Sequence, residues 1–366
     1  MYIDLSSASM AGTSKANLSH RRVCLENGKK EGICLSRVHL FALGGTIASV
    51  PLPAGGVAPS LAAEEIVRAA GVDETIEVSA SNFRQMPSGD LTTDDMLMLA
   101  EAIEEKERSG IDGVVVTQGT DTIEETSFAL DLLVRSDIPV VVTGAMRHPK
   151  LSGSDGPANV AAAVAVAASS MARGLGTLVV LNDEIHAARF VQKRHTQSPS
   201  AFGSPIGPIG WVAERKPYIL VGLKRAPELP RPIATNPSDF AALYKVAIGD
   251  DGRALEKFPS LGYKGLILEA LGGGHVPARM VPIVAELARR MPVVLSSRTR
   301  NGRILRETYG FSGSEMDLFT HGVIDGGWLD GAKLRMLLEL LLRAGVGRGG
   351  VQEYIHTFNA NNFYAG

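Results

Sequence analysis

The sequence predicts an α/β fold in which a larger N-terminal, mainly parallel sheet flanked by helices is followed by a smaller C-terminal α/β domain. Three observations lead there. From Arg37 onward, short runs rich in Val, Leu and Ile alternate with longer segments of helical spacing. Those runs are apolar almost throughout, as suits strands covered on both faces. The stretch 223–238 sets Pro227, Pro230, Pro232 and Pro237 among charged residues, which forbids regular helix and divides the alternation in two. At 366 residues the chain also exceeds one average domain. The expected division is a flexible N-terminal extension over residues 1–36, an N-terminal domain over 37–222, a Pro-rich linker over 223–238 and a C-terminal α/β domain over 239–366.

Taken in order, the expected strands are 38–43, 75–79, 113–117, 139–144 and 177–182, with helices at 62–70, 93–108, 123–135 and 156–168 between them. Beyond the linker, strands are expected at 243–248, 265–270 and 292–296, and helices at 280–290 and 332–343. The apolar run from Ala158 to Ala168 is rich in Ala and Val and too short to cross a bilayer, so it reads as a buried helix.

Composition narrows the function. A formal net charge of −2 gives no long-range pull toward nucleic acid or an anionic membrane, which leaves small molecules as the expected partners. The two cysteines, Cys24 and Cys34, form neither a disulfide framework nor a Cys-x-x-Cys metal pair. Residues 1–37 lack the unbroken apolar stretch of a secretory signal, and the expectation is a cytoplasmic protein.

In parallel α/β sheets, ligands sit just beyond the carboxyl ends of strands. Those positions hold Gly44-Gly45-Thr46-Ile47-Ala48-Ser49, Thr117-Gln118-Gly119-Thr120-Asp121-Thr122 and Gly144-Ala145-Met146-Arg147. Small residues and hydroxyls dominate. Two glycines before Thr46 let the backbone turn sharply, and a threonine hydroxyl can serve as a nucleophile when a base assists it. Taken alone, Gly-Gly-Thr is more often a strand-end turn with a capping Thr. Thr120 or Asp121, followed by Glu124 and Glu125, likewise reads as a helix start whose acids complement the dipole. Capping explains the residue types but not their coincidence with Thr46 at a neighbouring strand end.

The segments Leu43-Gly44-Gly45-Thr46-Ile47-Ala48-Ser49 and Thr117-Gln118-Gly119-Thr120-Asp121-Thr122-Ile123-Glu124-Glu125-Thr126 resemble the two signature motifs of the bacterial-type L-asparaginase family (asparaginase/glutaminase). The resemblance continues through Val142-Thr143-Gly144-Ala145-Met146-Arg147, Ser154-Asp155-Gly156-Pro157-Ala158-Asn159, Val180-Leu181-Asn182-Asp183 and Gly262-Tyr263-Lys264-Gly265. It implies an amidohydrolase that turns L-asparagine into L-aspartate and ammonia, with 37–222 as the domain holding the catalytic residues. By the same resemblance Thr46 is the nucleophile. Thr120 and Asp121 are the second hydroxyl and its carboxylate, and Lys193 completes a Thr–Asp–Lys relay. Asp121 also binds the α-amino group of the substrate, and Ser88 its α-carboxylate, beside Gly119. Without the resemblance, Lys193 reads as a surface cation beside Arg194 and His195. The family also implies an intimate homodimer, pairing into a homotetramer, and no cofactor or metal, since hydrolysis through hydroxyls needs none.

Two departures stand out. The segment 50–60, where many members carry a mobile lid with a tyrosine, has no Tyr. An acid donated by a neighbouring subunit is expected just before Tyr309-Gly310-Phe311, where counting falls on Arg303 and the nearby candidate is Glu307. No Walker-type or Gly-x-Gly-x-x-Gly phosphate loop occurs after the first strand, and no His-Glu-x-x-His. His148, His186, His195 and His275 read as polar loop residues, and Leu271-Gly272-Gly273-Gly274-His275 as a tight strand-to-helix connection. The other readings are a glutaminase-asparaginase of broad specificity and a non-catalytic amino-acid sensor using the same hydroxyls to bind. A third, an amidase component feeding ammonia to a partner as in the transfer-RNA amidotransferases, is disfavoured because no partner-sized extra domain is present.

Overall fold

The computed structural model describes residues 35–53, 55–232 and 239–362. The expected flexible extension, both cysteines and residues 233–238 of the expected linker lie outside the described residues, Leu35 and Ser36 excepted. In chain order the strands are β1 (Ser36–Ala42), β2 (Ser49–Pro51), β3 (Val57–Pro59), β4 (Ile76–Asn82), β5 (Gly113–Thr117), β6 (Val140–Thr143), β7 (Thr177–Leu181) and β8 (Glu184–Ala187). They continue with β9 (Gln192–Lys193), β10 (Phe202–Gly203), β11 (Gly210–Ala213), β12 (Lys216–Ile219), β13 (Ala241–Lys245), β14 (Gly265–Ala270), β15 (Val293–Ser297) and β16 (Ile324–Asp325). The helices are α1 (Ala63–Ala70), α2 (Thr93–Arg108), α3 (Ile123–Leu133), α4 (Gly156–Ala167), α5 (Val281–Arg290), α6 (Glu315–Thr320), α7 (Gly331–Arg343) and α8 (Arg348–Asn362).

One sheet has the order β12-β11-β8-β7-β6-β5-β1-β4, parallel from β7 through β4 and antiparallel from β7 to β12. The second is parallel throughout, in the order β13-β14-β15-β16. The sheet direction reverses at Asn182 and Asp183, both with positive φ, the backbone a two-residue hairpin requires and Asn and Asp tolerate. The Asn182-Asp183 motif is therefore a turn. The antiparallel edge was not expected from sequence, because β8, β11 and β12 are short and carry Glu184, His186, Lys216 and Pro217 among their apolar residues.

Strand alternation assigns the core. Val114, Val116, Val140 and Val142 face α2 and α3, while Val115 and Val141 face α1 and α4, so both faces of the central strands are dry. The Ala-rich α4 lies so close that a methyl group built on Gly113 would sit 1.9 Å from the Ala167 carbonyl oxygen. The second sheet packs α5 on one face and α7 on the other. Leu334, Leu337, Leu338 and Leu341 of α7 share one cluster with Phe128 and Leu132 of α3, so the two layers bury a common core. Each fully buried Leu contributes about 2–3 kcal/mol.

Two expectations change. His186 is not a loop residue but lies on β8, buried and bonded to Ser204 (3.0 Å) and Glu184 (3.2 Å). Burial holds its imidazole below the usual range. The first turn of α3 is not capped by Thr120 or Asp121: residues Thr120–Thr122 form a short 3-10 turn ahead of α3, and no side chain caps it.

Candidate active site

Three strand-end loops meet at the carboxyl edge of β1 and β5. After β1, Leu43 N donates to Thr117 O (2.8 Å) and Met86 N donates to Leu43 O (3.2 Å). Gly44 and Gly45 both adopt positive φ, 102° and 79°. A methyl group on Gly45 would lie 2.1 Å from the Gly119 nitrogen, and one on Gly44 2.7 Å from Met86 backbone atoms. Only glycine permits this approach. It brings the residue following each turn, Thr46 and Thr120, to adjoining positions. Thr46 opens a 3-10 turn, Thr46–Ala48, closed by Ala48 N to Gly45 O (3.1 Å) and by the Ser49 hydroxyl donating to the same carbonyl (2.8 Å). Thr46 is half-buried between buried neighbours.

The loop after β5 is fixed from below. Gln118 is fully buried, and its side-chain amide donates to Gly119 O (3.2 Å) and lies 3.4 Å from Thr122 Oγ1. Thr122 in turn donates to Ser88 O (3.0 Å). Ser88 is buried, with its hydroxyl 2.8 Å from where a Gly119 methyl would be. From β9, Lys193 Nζ donates to Thr120 Oγ1 (2.8 Å) and to Asp121 Oδ1 (2.6 Å). The Lys193 side chain is 15% exposed and that of Asp121 80%. So exposed an ion pair contributes about 0–1 kcal/mol to stability, and its consequence is alignment of the ammonium on the Thr120 hydroxyl.

The loop after β6 is held as a scaffold. Asp155 accepts from Met146 N and Arg147 N, both at 2.9 Å, and Asn159 bridges Gly144 O (2.9 Å) to Asn182 N (2.9 Å). These motif residues serve geometry rather than chemistry. β2 and β3 form a hairpin directly after the Thr46 turn, over the segment that lacks a tyrosine.

Lys193 thus bonds Thr120 and Asp121, Ser88 lies against Gly119, and Thr46 follows the Gly45 that abuts Gly119. Glu307 does not join them: it is exposed in the loop between β15 and α6. Sequence reasoning missed Glu124, Arg300, Asp330 and Lys333. Glu124 reads from sequence as a dipole-complementing acid, yet its carboxylate is buried and accepts Lys193 N–H (2.7 Å). The hydroxyls and the ammonium–carboxylate pair offer a nucleophile, a proton path and anchors for a small zwitterion. A groove of ≈ 640 Å³, lined by Phe240, Leu243, Phe258, Leu261, Tyr263 and Arg335 among others, lies on the second layer and includes none of these residues. Its lining holds one hydroxyl, that of Tyr263, and one cation, Arg335.

Hydroxyls at parallel strand ends, with a lysine against one of them, are the groups that hydrolysis through a hydroxyl nucleophile would use. Comparison with known proteins makes the class specific. The family model "Asparaginase, N-terminal" matches residues 37–222, and "Glutaminase/Asparaginase C-terminal domain" matches 242–355. A Deinococcus radiodurans protein named "Probable L-asparaginase" is 38% identical over 326 residues, covering 87% of this chain and 96% of its own. A Pseudomonas fluorescens "Glutaminase-asparaginase" is 33% identical, over 73% of this chain and 77% of its own. The crystal structure of a "Probable Cytoplasmic L-asparaginase" from Campylobacter jejuni superposes with a TM-score of 0.78 at 30% identity, covering 88% of this chain and 99% of its own. The chain belongs to the asparaginase family, hydrolases that act on amides.

Proposed function

We propose that the chain hydrolyses L-asparagine to L-aspartate and ammonia with Thr46 as nucleophile and Thr120, Asp121 and Lys193 as the relay. The observation that carries this reading is the placement of Lys193 Nζ on both Thr120 and Asp121, in the loop whose Gly119 abuts Gly45. Thr46 Oγ1 forms a bond to the side-chain carbonyl carbon, the C–N bond breaks, and the amide nitrogen leaves as ammonia carrying the hydroxyl's proton. Water then attacks the acyl carbon and the bond to Thr46 Oγ1 breaks; a water proton passes to Thr120 Oγ1 as the Thr120 proton moves to the departing Thr46 Oγ1, with the Lys193 ammonium and Asp121 orienting the Thr120 hydroxyl. Aspartate departs and Thr46 is restored. Ser88 and Gly119 hold the α-carboxylate, and Thr120 and Asp121 the α-amino end. Catalysis takes place without cofactor or metal, in the cytoplasm, the location that the name of the Campylobacter neighbour carries. The working form is a homodimer or homotetramer in which Glu307 of one copy reaches the site of another.

A glutaminase-asparaginase of broad specificity is the second reading, favoured by the Pseudomonas relative's name. One methylene separates the two substrates, worth about 1–3 kcal/mol in a small pocket. Ammonia release from L-Asn, L-Gln and D-Asn by wild type, Thr46→Ala and Thr120→Ala tests the proposal. Wild type is expected to turn over L-Asn, and both variants to lose at least about 1,000-fold. Substrate binding without turnover by wild type would instead establish the sensor.

A further inference from the structure

The strand that carries Lys193 has little support of its own. β9 is two residues long and pairs with β10 alone, outside the eight-stranded sheet. Beyond that pairing it is held by Glu124 of α3 and by groups of the second layer. Val191 O accepts from Lys333 Nζ (2.7 Å), and the Gln192 side-chain amide donates to Arg300 O (2.7 Å). Lys193 N donates to Glu124 Oε1 (2.7 Å), while the other oxygen of Glu124 is clamped by the Arg300 guanidinium and lies 3.6 Å from Lys333 Nζ. Asp330, the N-cap of α7, closes the network on Lys333 (3.1 Å) and Arg300 (3.5 Å). Three successive residues, 191 to 193, are thus each held by a group of the network.

Two features mark this as more than a packing contact. Lys333 and Asp330 are almost fully buried, so the charges are placed where they cost most unless every one is matched. Arg300 has φ of 58°, unusual for a residue with a side chain, and that conformation accompanies a backbone carbonyl turned to Gln192 while the guanidinium meets Glu124.

We infer that Arg300, Asp330 and Lys333 are positioning residues that set, from the second layer, where the Lys193 ammonium stands relative to Thr120 and Asp121. The inference rests on the relay reading of Lys193 given above. Its test uses the full chain with Arg300→Ala, Arg300→Lys and, as control, Arg343→Met, whose guanidinium joins the same two layers at the opposite end of α7. Two quantities are read: kcat and KM for ammonia release from L-Asn, and amide hydrogen exchange of the peptide spanning residues 190–195. Arg300→Ala is expected to lower kcat about 10- to 100-fold with KM little changed, and to speed exchange in that peptide. Arg300→Lys, which keeps the charge without the fork, recovers part of both. Arg343→Met moves neither. Exchange at 190–195 unchanged in Arg300→Ala, or equal losses in Arg300→Ala and Arg343→Met, overturns the inference. Wild type without ammonia release refutes the relay reading separately, and exchange still decides whether Arg300 anchors the segment.

Discussion

The two ends of α7 make the same kind of contact with different consequences. At its C-terminal end, Arg343 reaches Asp94 and Glu339, and Glu339 accepts from the Thr93 hydroxyl, so the charges grip the first turn of α2. At its N-terminal end, Asp330 and Lys333 grip Glu124, Arg300 and the carbonyl of Val191. The Lys333 and Arg343 side chains are equally buried, 1% and 3% exposed, and both clusters span the two layers. By burial alone they are indistinguishable. Of the two, the N-terminal cluster is the one bonded to the backbone around Lys193. Burial sets what an ionic cluster contributes to stability, and what it is bonded to decides whether it bears on the site.

The largest expected effects break this comparison directly. Lys333→Met leaves Asp330 and Glu124 with Arg300 as their remaining cation, and Arg343→Met leaves Glu339 with Arg335. Each should destabilise by about 2–3 kcal/mol in urea denaturation. Lys333→Met should also lower kcat under conditions where it is fully folded, and Arg343→Met should not. A kcat loss in both would erase the difference. Next in size is Gly45→Ala, which touches neither cluster. Its methyl meets the Gly119 backbone and its φ of 79° is strained for alanine. Activity should fall about 100-fold and stability by about 1–3 kcal/mol, with hydrogen exchange at 190–195 unchanged. That result separates the Thr46 side of the cleft from the side governed by α7.

The smallest effect concerns a region remote in sequence from both clusters. His39 on β1 is buried between Ser79 (2.8 Å) and Ser81 (2.9 Å), and burial, aided by Lys106, pushes its imidazole down to about 4 from 6.5. The unfolded histidine binds a proton below pH 6.5 and the folded one only below about 4, so the unfolded chain holds more protons between those values. Stability contributed by neutral His39 is present above pH 6.5 and is lost as pH falls toward 4. Thermal melts of wild type and His39→Asn across that window should show a shallower decline in the variant. The kcat contrast between the two ends of α7 should persist throughout the window.

Legibility in the sequence followed the range of the forces involved. The strands 113–117 and 265–270 and the helix 93–108 coincide with the observed elements because continuous burial or capping writes itself into neighbouring residues. Thr92 and Asp95 cap α2 reciprocally within four residues of chain. The antiparallel edge β8-β11-β12 was missed because its strands are short and mixed in character. Lys193 was identifiable only through the family resemblance, since beside Arg194 and His195 it looks like one more surface cation. Glu124 was misread because an acid in a helix's first turn has a sufficient local explanation.

By itself, the sequence determined the alternation of elements, the two glycine turns that admit close backbone approach, and the family to which the chain belongs. Those properties depend on residues close together or on motifs read whole. The tertiary structure alone decided that Lys193 stands on Thr120 and Asp121, and that Arg300, Asp330 and Lys333 hold its strand from the second layer. These pairings join residues 72 to 176 positions apart. A charge's partner at that separation is set by how two layers pack around a shared apolar core, and the local sequence around either member carries no trace of it.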